Sequence, residues 1–448
     1  MTVDTLARLR VRRILPLSLL AAVLAVPASA GLREPYVAMR GYDEPATPDG
    51  YDRVFVKKLG RPSARQVLVL VPGFIGGAGD FTLVARELVK RVPDLQVWAV
   101  DRRPNALEDT SRFQPGTSLR EAYDYYLGLN LKMIDGARDT PYARNWGLRV
   151  AVEDLRQVIR SARRGGRKVV LGGHSLGAST TLAYASWDFD GRAGFRDVQG
   201  LILIDGGLLG SFHHPALPRI RSRKREIDNG EPFDALFPGL PVWAAGVFAE
   251  VGGMYARLAA GAPSALQSYF ALPASLKPPV RVTNEALLGY ALDKNTSPEV
   301  LGDVQVRAGA LARSGDPRPW VSGELTPIQN VAQLFFQEPG NAVEWYFPKR
   351  LRLDVDSADA LRRNAITRFL GLRPFHTAQV DLPLYAIETE LWRGRILRGA
   401  RRFIARSSVR RSRLVDWSRR SNHFDPLTAA PSRNEFLRTV VPFLKSLD

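Results

Sequence analysis

Residues 65–74, RQVLVLVPGF, hold an unbroken apolar run that stops at Pro72-Gly73. A strand with one face in water alternates apolar and polar residues. A run apolar at every position predicts a strand buried on both faces. Comparable runs follow in LQVWAVDRR (95–103), KVVLGG (168–173) and VQGLILIDGG (198–207). Between them lie stretches with helical spacing. DFTLVARELVKRV (80–92) puts Leu83, Val84, Leu88 and Val89 on one face, after an Asp80 suited to N-capping. NWGLRVAVEDLRQVIRSARRGG (145–166) has apolar positions at Val150, Val152, Leu155, Val158 and Ile159, and stops at Gly165-Gly166. A further helix opens at Leu176. DRVFVKKLG (52–60) alternates loosely and reads as an early edge strand. Strand and helix in strict alternation predict an α/β fold: a mostly parallel sheet with helices on both faces.

After Gly210 the rhythm breaks. Residues 211–378 carry helical patches such as VWAAGVFAEVGGMYARLAAG and NEALLGYALD, but no clear apolar strand run. The strand signal returns in VDLPLYAIETE (380–390). A basic, helix-like LWRGRILRGARRFIAR follows, then a last strand in SRLVDWS (412–418) and a closing helix in SRNEFLRTVVPFLKSL. One core in two parts, 31–210 and 379–448, is therefore expected, with a large, mainly helical cap inserted at 211–378.

The first thirty residues stand apart. Arg8, Arg10, Arg12 and Arg13 precede ILPLSLLAAVLAV, an apolar run too short for a comfortable bilayer span, and Ala28 and Ala30 give a small-x-small cleavage pattern. Residues 1–30 are expected to be a cleaved signal peptide and the mature protein to lie outside the cytoplasm. Arg12-Arg13 is a weak hint of the twin-arginine route. The chain has no cysteine, which excludes disulfides, cysteine-based metal sites and thiol catalysis. Its formal net charge is +18; losing four arginines and Asp4 with the signal leaves +15. Contact with an anionic envelope or membrane surface is compatible with that charge. The basic clusters RIRSRKR (219–225) and ARSSVRRSR (405–413) lack interleaved aromatics or a known module, so no nucleic-acid partner is expected.

Within VVLGGHSLGAST, Ser175 stands between Gly173 and Gly177, after a buried strand and before a helix. A nucleophile elbow needs that context: the turn is strained, its neighbours crowd the backbone, and the helix N-terminus offers unpaired N–H groups. The elbow GHSLG and the order of the parts resemble the α/β-hydrolase superfamily, its lipase-like members in particular. The resemblance covers most of 50–210 and 380–446 and leaves the insertion unassigned. It implies that Ser175 is the nucleophile.

A serine nucleophile needs a base. Of five histidines, His423 lies in the polar loop SRRSNHFDPL after the last strand, where the resemblance places the base. His174 adjoins the nucleophile and is expected to pack or bond locally. His213 and His214 read as a surface loop rather than a metal site. The orienting carboxylate stays open: Asp205, ending LILID, is preferred, while Glu388 and Glu390 lie near the more usual place, without the usual spacing. By the resemblance, the oxyanion donors are the Leu176 N–H and, in PGFIGG (72–77) with Pro72 in place of histidine, the Phe74 N–H. Asp101 is expected to be a structural turn residue.

These residues predict a secreted serine hydrolase that cleaves carboxylic esters through an acyl-enzyme and needs no cofactor or metal. The apolar insertion suits a small-molecule ester or lipid substrate with a hydrophobic acyl chain. A peptidase or acyltransferase would use the same triad, and a non-catalytic envelope-binding protein would use the same scaffold. Dehalogenase chemistry on this scaffold uses a carboxylate nucleophile, which Ser175 argues against.

Overall fold

A computed structural model describes residues 34–211, 216–323, 325–337 and 342–447. The expected signal at 1–30, and His213 and His214, lie outside the described residues. Eight strands make one sheet: β1 (Tyr36–Arg40), β2 (Arg53–Leu59), β3 (Gln66–Val71), β4 (Leu95–Asp101), β5 (Lys168–His174), β6 (Leu201–Ile204), β7 (Leu384–Glu388) and β8 (Ser412–Asp416). Their order across the sheet is β1-β2-β4-β3-β5-β6-β7-β8. The first two strands pair antiparallel, as do β2 and β4; every other pairing is parallel. The central strands β3, β4 and β6 are buried at every position. Each fully buried Val or Leu there contributes about 1.5–3 kcal/mol relative to exposure.

Helices cover the sheet. They include α1 (Thr82–Arg91), α2 (Leu148–Ala162) and α3 (Leu176–Ser186). The second is amphipathic and buries Val150, Val152, Leu155, Val158 and Ile159, the positions its spacing marked. By contrast, α3 is buried all round, as a helix enclosed by core on every side must be. Between β6 and β7 come α4 (Ala244–Leu258), α5 (Asn284–Leu292), α6 (Ile328–Phe335) and α7 (Lys349–Ala358). None of the described residues in this stretch joins the large sheet. After β7, α8 (Arg395–Arg406) buries Ile396, Leu397, Ala400 and Phe403 and turns its arginines outward. The chain closes with α9 (Glu435–Lys445).

Three local expectations change. The strand at 53–59 is not the sheet edge, because Tyr36–Arg40 pairs outside it. The insertion is not free of strands: Gly309–Leu311 and Trp320–Ser322 form a small antiparallel pair. Asp80 does not cap α1. A single tight turn, Ala78–Phe81, precedes that helix, Phe81 takes the cap position, and the buried Asp80 reaches back toward Gly76 instead.

Register positions the site. His174 pairs with Ile204 across β5 and β6, and Val71 with Gly173 across β3 and β5. The residues that follow, Ser175, Asp205 and the loop at 72–77, therefore leave the sheet side by side at its carboxyl end.

Candidate active site

Ser175 has φ 54° and ψ −121°, a conformation that costs a non-glycine residue of order 1–3 kcal/mol. The surroundings hold it there. Its N–H donates to the Ile204 carbonyl at 2.9 Å, and its carbonyl accepts from Ala178 N–H at 3.0 Å as α3 begins. Close backbone approach explains two glycines. A Cβ at Gly177 would strike the Val71 carbonyl, and one at Gly206 would strike the carbonyl of Ser175. The elbow thus packs against the end of β3 on one side and the residue after Asp205 on the other.

Asp205 and His423 are fully buried. His423 Nδ1–H donates to Asp205 Oδ2 at 2.5 Å. The other oxygen, Oδ1, accepts from the Thr389 N–H at 2.7 Å, and the Thr389 hydroxyl donates to Oδ2. The carboxylate is therefore aimed before the histidine reaches it. Asp205 itself sits at φ 45°, with its N–H on the Ile387 carbonyl at 2.9 Å. His174 Nε2 lies 2.9 Å from the His423 carbonyl and so carries the proton it donates there. The residue beside Ser175 thus holds the backbone of His423.

Electrostatics separates the two imidazoles. Burial, and then the nearby His423, push the His174 pKa well below the usual histidine value, so His174 stays neutral. Burial alone would also lower His423. The Asp205 carboxylate, through its charge and hydrogen bond and with help from Asp303, outweighs that and holds His423 above the usual value. With Nδ1 bonded to Asp205, Nε2 presents its lone pair, and among the described residues it has no partner. Ser175 Oγ and His423 Nε2 do not bond each other in this state; such contacts often tighten only when substrate binds.

The alternative acids are engaged elsewhere. Glu388 Oε2 accepts from the Leu397 N–H at 2.9 Å at the start of α8; burial, with the nearby Asp205 charge adding to it, raises its pKa. Glu390 is half-exposed and pairs with Lys294 and, at 2.7 Å, with Arg307 of the insertion. The carboxylate against His423 is Asp205.

The loop after β3 comes close to the serine: a Cβ at Gly73 would lie 3.0 Å from Ser175 Cβ. Among the described residues the Phe74 N–H donates to nothing. Leu176 is the first residue of α3, where an N–H has no intrahelical acceptor. A cavity of about 20 Å³, room for roughly one water, opens here between Gly73, Phe74, Ser175, Asp303, Val304 and Val343. Ile75, Val304 and Val343 also line a second, larger cavity of about 90 Å³ inside the insertion. Its other walls include Phe248, Leu272, Leu288 and Phe335, and among the described residues no charged side chain lines it. Asp101 accepts from the Tyr36 hydroxyl at 2.7 Å and from the Ala78 N–H, fixing the turn beside this loop.

Residues 68–321 match the sequence profile described as the Alpha/beta hydrolase family, more than half of the chain. The chain belongs to that family. Its eight-stranded, mostly parallel sheet is that of an α/β hydrolase fold. A Sulfolobus solfataricus structure described as "a putative lipase" superposes with a TM-score of 0.50 at 15% identity, covering 92% of this chain and 94% of that one. A monoacylglycerol lipase from Paleococcus ferrophilus gives 0.42 at 13% identity (88% and 99% covered). Epoxide hydrolase A from Mycobacterium thermoresistibile gives 0.41 at 15% identity (93% and 99% covered). The first of these likenesses is one of fold alone. A search of curated proteins finds no match.

Four parts of this hydrolase's site escaped sequence reasoning: Thr389, the bond from His174 to His423, Arg102, and the insertion segment that includes Glu344. Thr389 and His174 each adjoin a residue already singled out, so their position was the available signal. Arg102 and Glu344 gave none. Among the described residues no three His, Cys, Asp or Glu side chains gather as a metal's donor set.

Proposed function

We propose that this hydrolase cleaves carboxylic esters with an apolar acyl chain, by a serine acyl-enzyme route. The observation that carries the reading is the state of His423: Nδ1 is bonded to a buried, pre-aimed Asp205 and Nε2 is left unpartnered at the end of the strand that leads to Ser175. Ser175 Oγ adds to the ester carbonyl as Nε2 takes its proton. The oxyanion faces the Phe74 and Leu176 N–H groups. Collapse expels the alcohol, protonated by His423, and leaves the acyl-serine. Water activated by the same imidazole then releases the acid and frees the serine.

The uncharged cavity shared through Ile75, Val304 and Val343 supports an acyl chain as the group recognised. It favours an ester over the peptide of a protease using the same triad. The signal pattern of residues 1–30 supports export from the cytoplasm. Residues 393–420 hold eleven arginines and one carboxylate, Asp416, and support contact with an anionic envelope or membrane surface.

The test is fluorophosphonate labelling of the wild type, Ser175→Ala and His423→Ala, followed by turnover of p-nitrophenyl esters of increasing chain length. Labelling of the wild type alone, with turnover rising into medium or long chains, is the expected result. A folded wild type that neither labels nor turns over any ester overturns the reading.

A further inference from the structure

The loop that carries the Phe74 N–H is gripped from behind by one side chain. Arg102, the residue after β4, donates to the Pro72 carbonyl at 2.5 Å, the Gly73 carbonyl at 2.8 Å and the Gly76 carbonyl at 3.2 Å. It also donates to the carboxylate of Glu344, at 2.9 Å, and stands over the Phe347 ring, 5.3 Å from its centroid. The guanidinium is largely buried and the carboxylate almost wholly so, and Glu344 Oε1 has no partner among the described residues.

Peptide geometry gives this grip a consequence. In a trans peptide the C=O and the N–H point in opposite directions. The carbonyl of Gly73 and the N–H of Phe74 belong to one peptide unit. Holding that carbonyl on Arg102 turns the Phe74 N–H the other way. The bond is needed because Gly73 is free to rotate: no side chain on it prevents the unit from turning over.

The counter-charge comes from the insertion. Val343 bridges Gly76 in antiparallel fashion, the Glu344 N–H donates to the Ile75 carbonyl at 2.7 Å, and the Gly77 N–H donates to the Ala342 carbonyl at 3.3 Å. Ala342 and Val343 then form part of the wall of the serine cavity. The cap segment that closes the cavity therefore also anchors the guanidinium that aims the donor.

We propose that Arg102 is a positioning residue of the oxyanion hole, held by Glu344 of the cap, which fixes the Gly73–Phe74 peptide with its N–H toward the substrate oxygen. Neither residue touches the reacting atoms. The catalytic part of this inference rests on the ester-hydrolase reading; the orientation of the loop does not.

The test compares wild type, Arg102→Ala, Arg102→Lys and Glu344→Gln in the full chain. Turnover is expressed per site titrated with fluorophosphonate, at pH 8. Burial pushes the Glu344 carboxyl up to about 7, against the pull of the adjacent Arg102, so it is ionised there. Arg102→Ala is expected to lower kcat per titrated site about 100-fold, the scale of losing one oxyanion donor. KM should hold within about threefold, and affinity for a boronic acid that forms a tetrahedral adduct should fall with kcat. Arg102→Lys should recover part of the loss, since a single ammonium cannot span three carbonyls. Glu344→Gln should lose less than Arg102→Ala. A merely structural role would reduce the number of titrated sites and leave the rate at each unchanged, and that result overturns the proposal.

Hydrogen exchange of the same variants reads the loop directly. Amides of 73–77 should exchange faster in Arg102→Ala while those of 176–180 hold. If exchange of 73–77 is unchanged, the clamp is wrong whatever the activity. If the wild type turns over no ester but exchange responds as expected, the clamp stands and the hydrolase reading falls.

Discussion

The core and the insertion divide the work differently. Ser175, Asp205 and Phe74 leave the ends of β5, β6 and β3, and His423 follows β8, so every group assigned to the chemistry belongs to the core. The insertion supplies Val343 to the serine cavity, Phe248 and Leu288 to the larger one, and Glu344 behind the loop at 72–77. Register and backbone strain fix the first set. Side-chain packing and a few long-range bonds fix the second. Damage to the core, or to Glu344 behind its loop, should therefore lower the rate for every substrate alike, whereas damage to the apolar cavity of the insertion should alter the choice between substrates.

The largest effect tests the core. Ser175→Ala should lose at least about 10⁴-fold in kcat on every ester, leaving only what binding and the oxyanion donors provide without a nucleophile. A Ser175→Ala protein that keeps a tenth of the activity would move the chemistry elsewhere.

Asp205→Asn comes next. The amide keeps the shape but cannot hold the imidazole in its working tautomer, and a loss of about 10⁴-fold is the scale for such a change. The pH profile adds a separate check. His423 must be neutral to act as the base, so kcat/KM rises with pH through its pKa. In the wild type Asp205 holds that pKa above the usual histidine value, so the midpoint of the acid limb should lie above about 6.5. Without the carboxylate charge, burial dominates and the midpoint should fall. A fixed midpoint would show that another group titrates.

The insertion predicts a different pattern. Ala249 lines the apolar cavity from α4. Ala249→Phe should fill part of that space and lower kcat/KM for long-chain esters about 10- to 100-fold. Acetate esters should stay within about twofold. Equal losses on short and long chains would mean that the cavity does not receive the acyl group.

The same division governs what could be read from the sequence. The sheet was legible because burial on both faces writes itself as unbroken apolar runs at 67–71 and 201–204. Ser175 was legible because the elbow needs glycines at fixed offsets. Asp205 was only one choice among three. What singles it out is the His423 ring 218 residues away and Thr389 on the neighbouring strand end, and no local pattern encodes either. Asp80 looked like a helix cap because an aspartate preceded the periodic stretch. The helix starts two residues later, and a tight turn carries that side chain to the serine cavity instead. The short strands at 309–311 and 320–322 span three residues each, too few to show a period. Arg102 and Glu344 are separated by 242 positions, and neither looks unusual in its own stretch of sequence.

The smallest effect lies where the two regions meet outside the chemistry. Glu390 follows β7 in the core, and its partners Lys294 and Arg307 belong to the insertion. The side chain is 45% exposed, so solvent screens the pair and Glu390→Gln should cost no more than about 1 kcal/mol of stability. Burial would raise the carboxyl's pKa, but Lys294 and Arg307 together hold it below the ordinary 4.5. The contribution is therefore present above the unfolded value and lost as pH falls through the folded one. The difference in Tm between wild type and Glu390→Gln should be measurable at pH 7, shrink as pH falls below the ordinary 4.5, and vanish once the folded carboxyl is protonated. Activity at pH 7 should stay within about twofold, since Glu390 does not touch His423. A loss of 10³-fold or more would instead make Glu390 the carboxylate that orients the base, and would dissolve the boundary between a catalytic core and a selective cap.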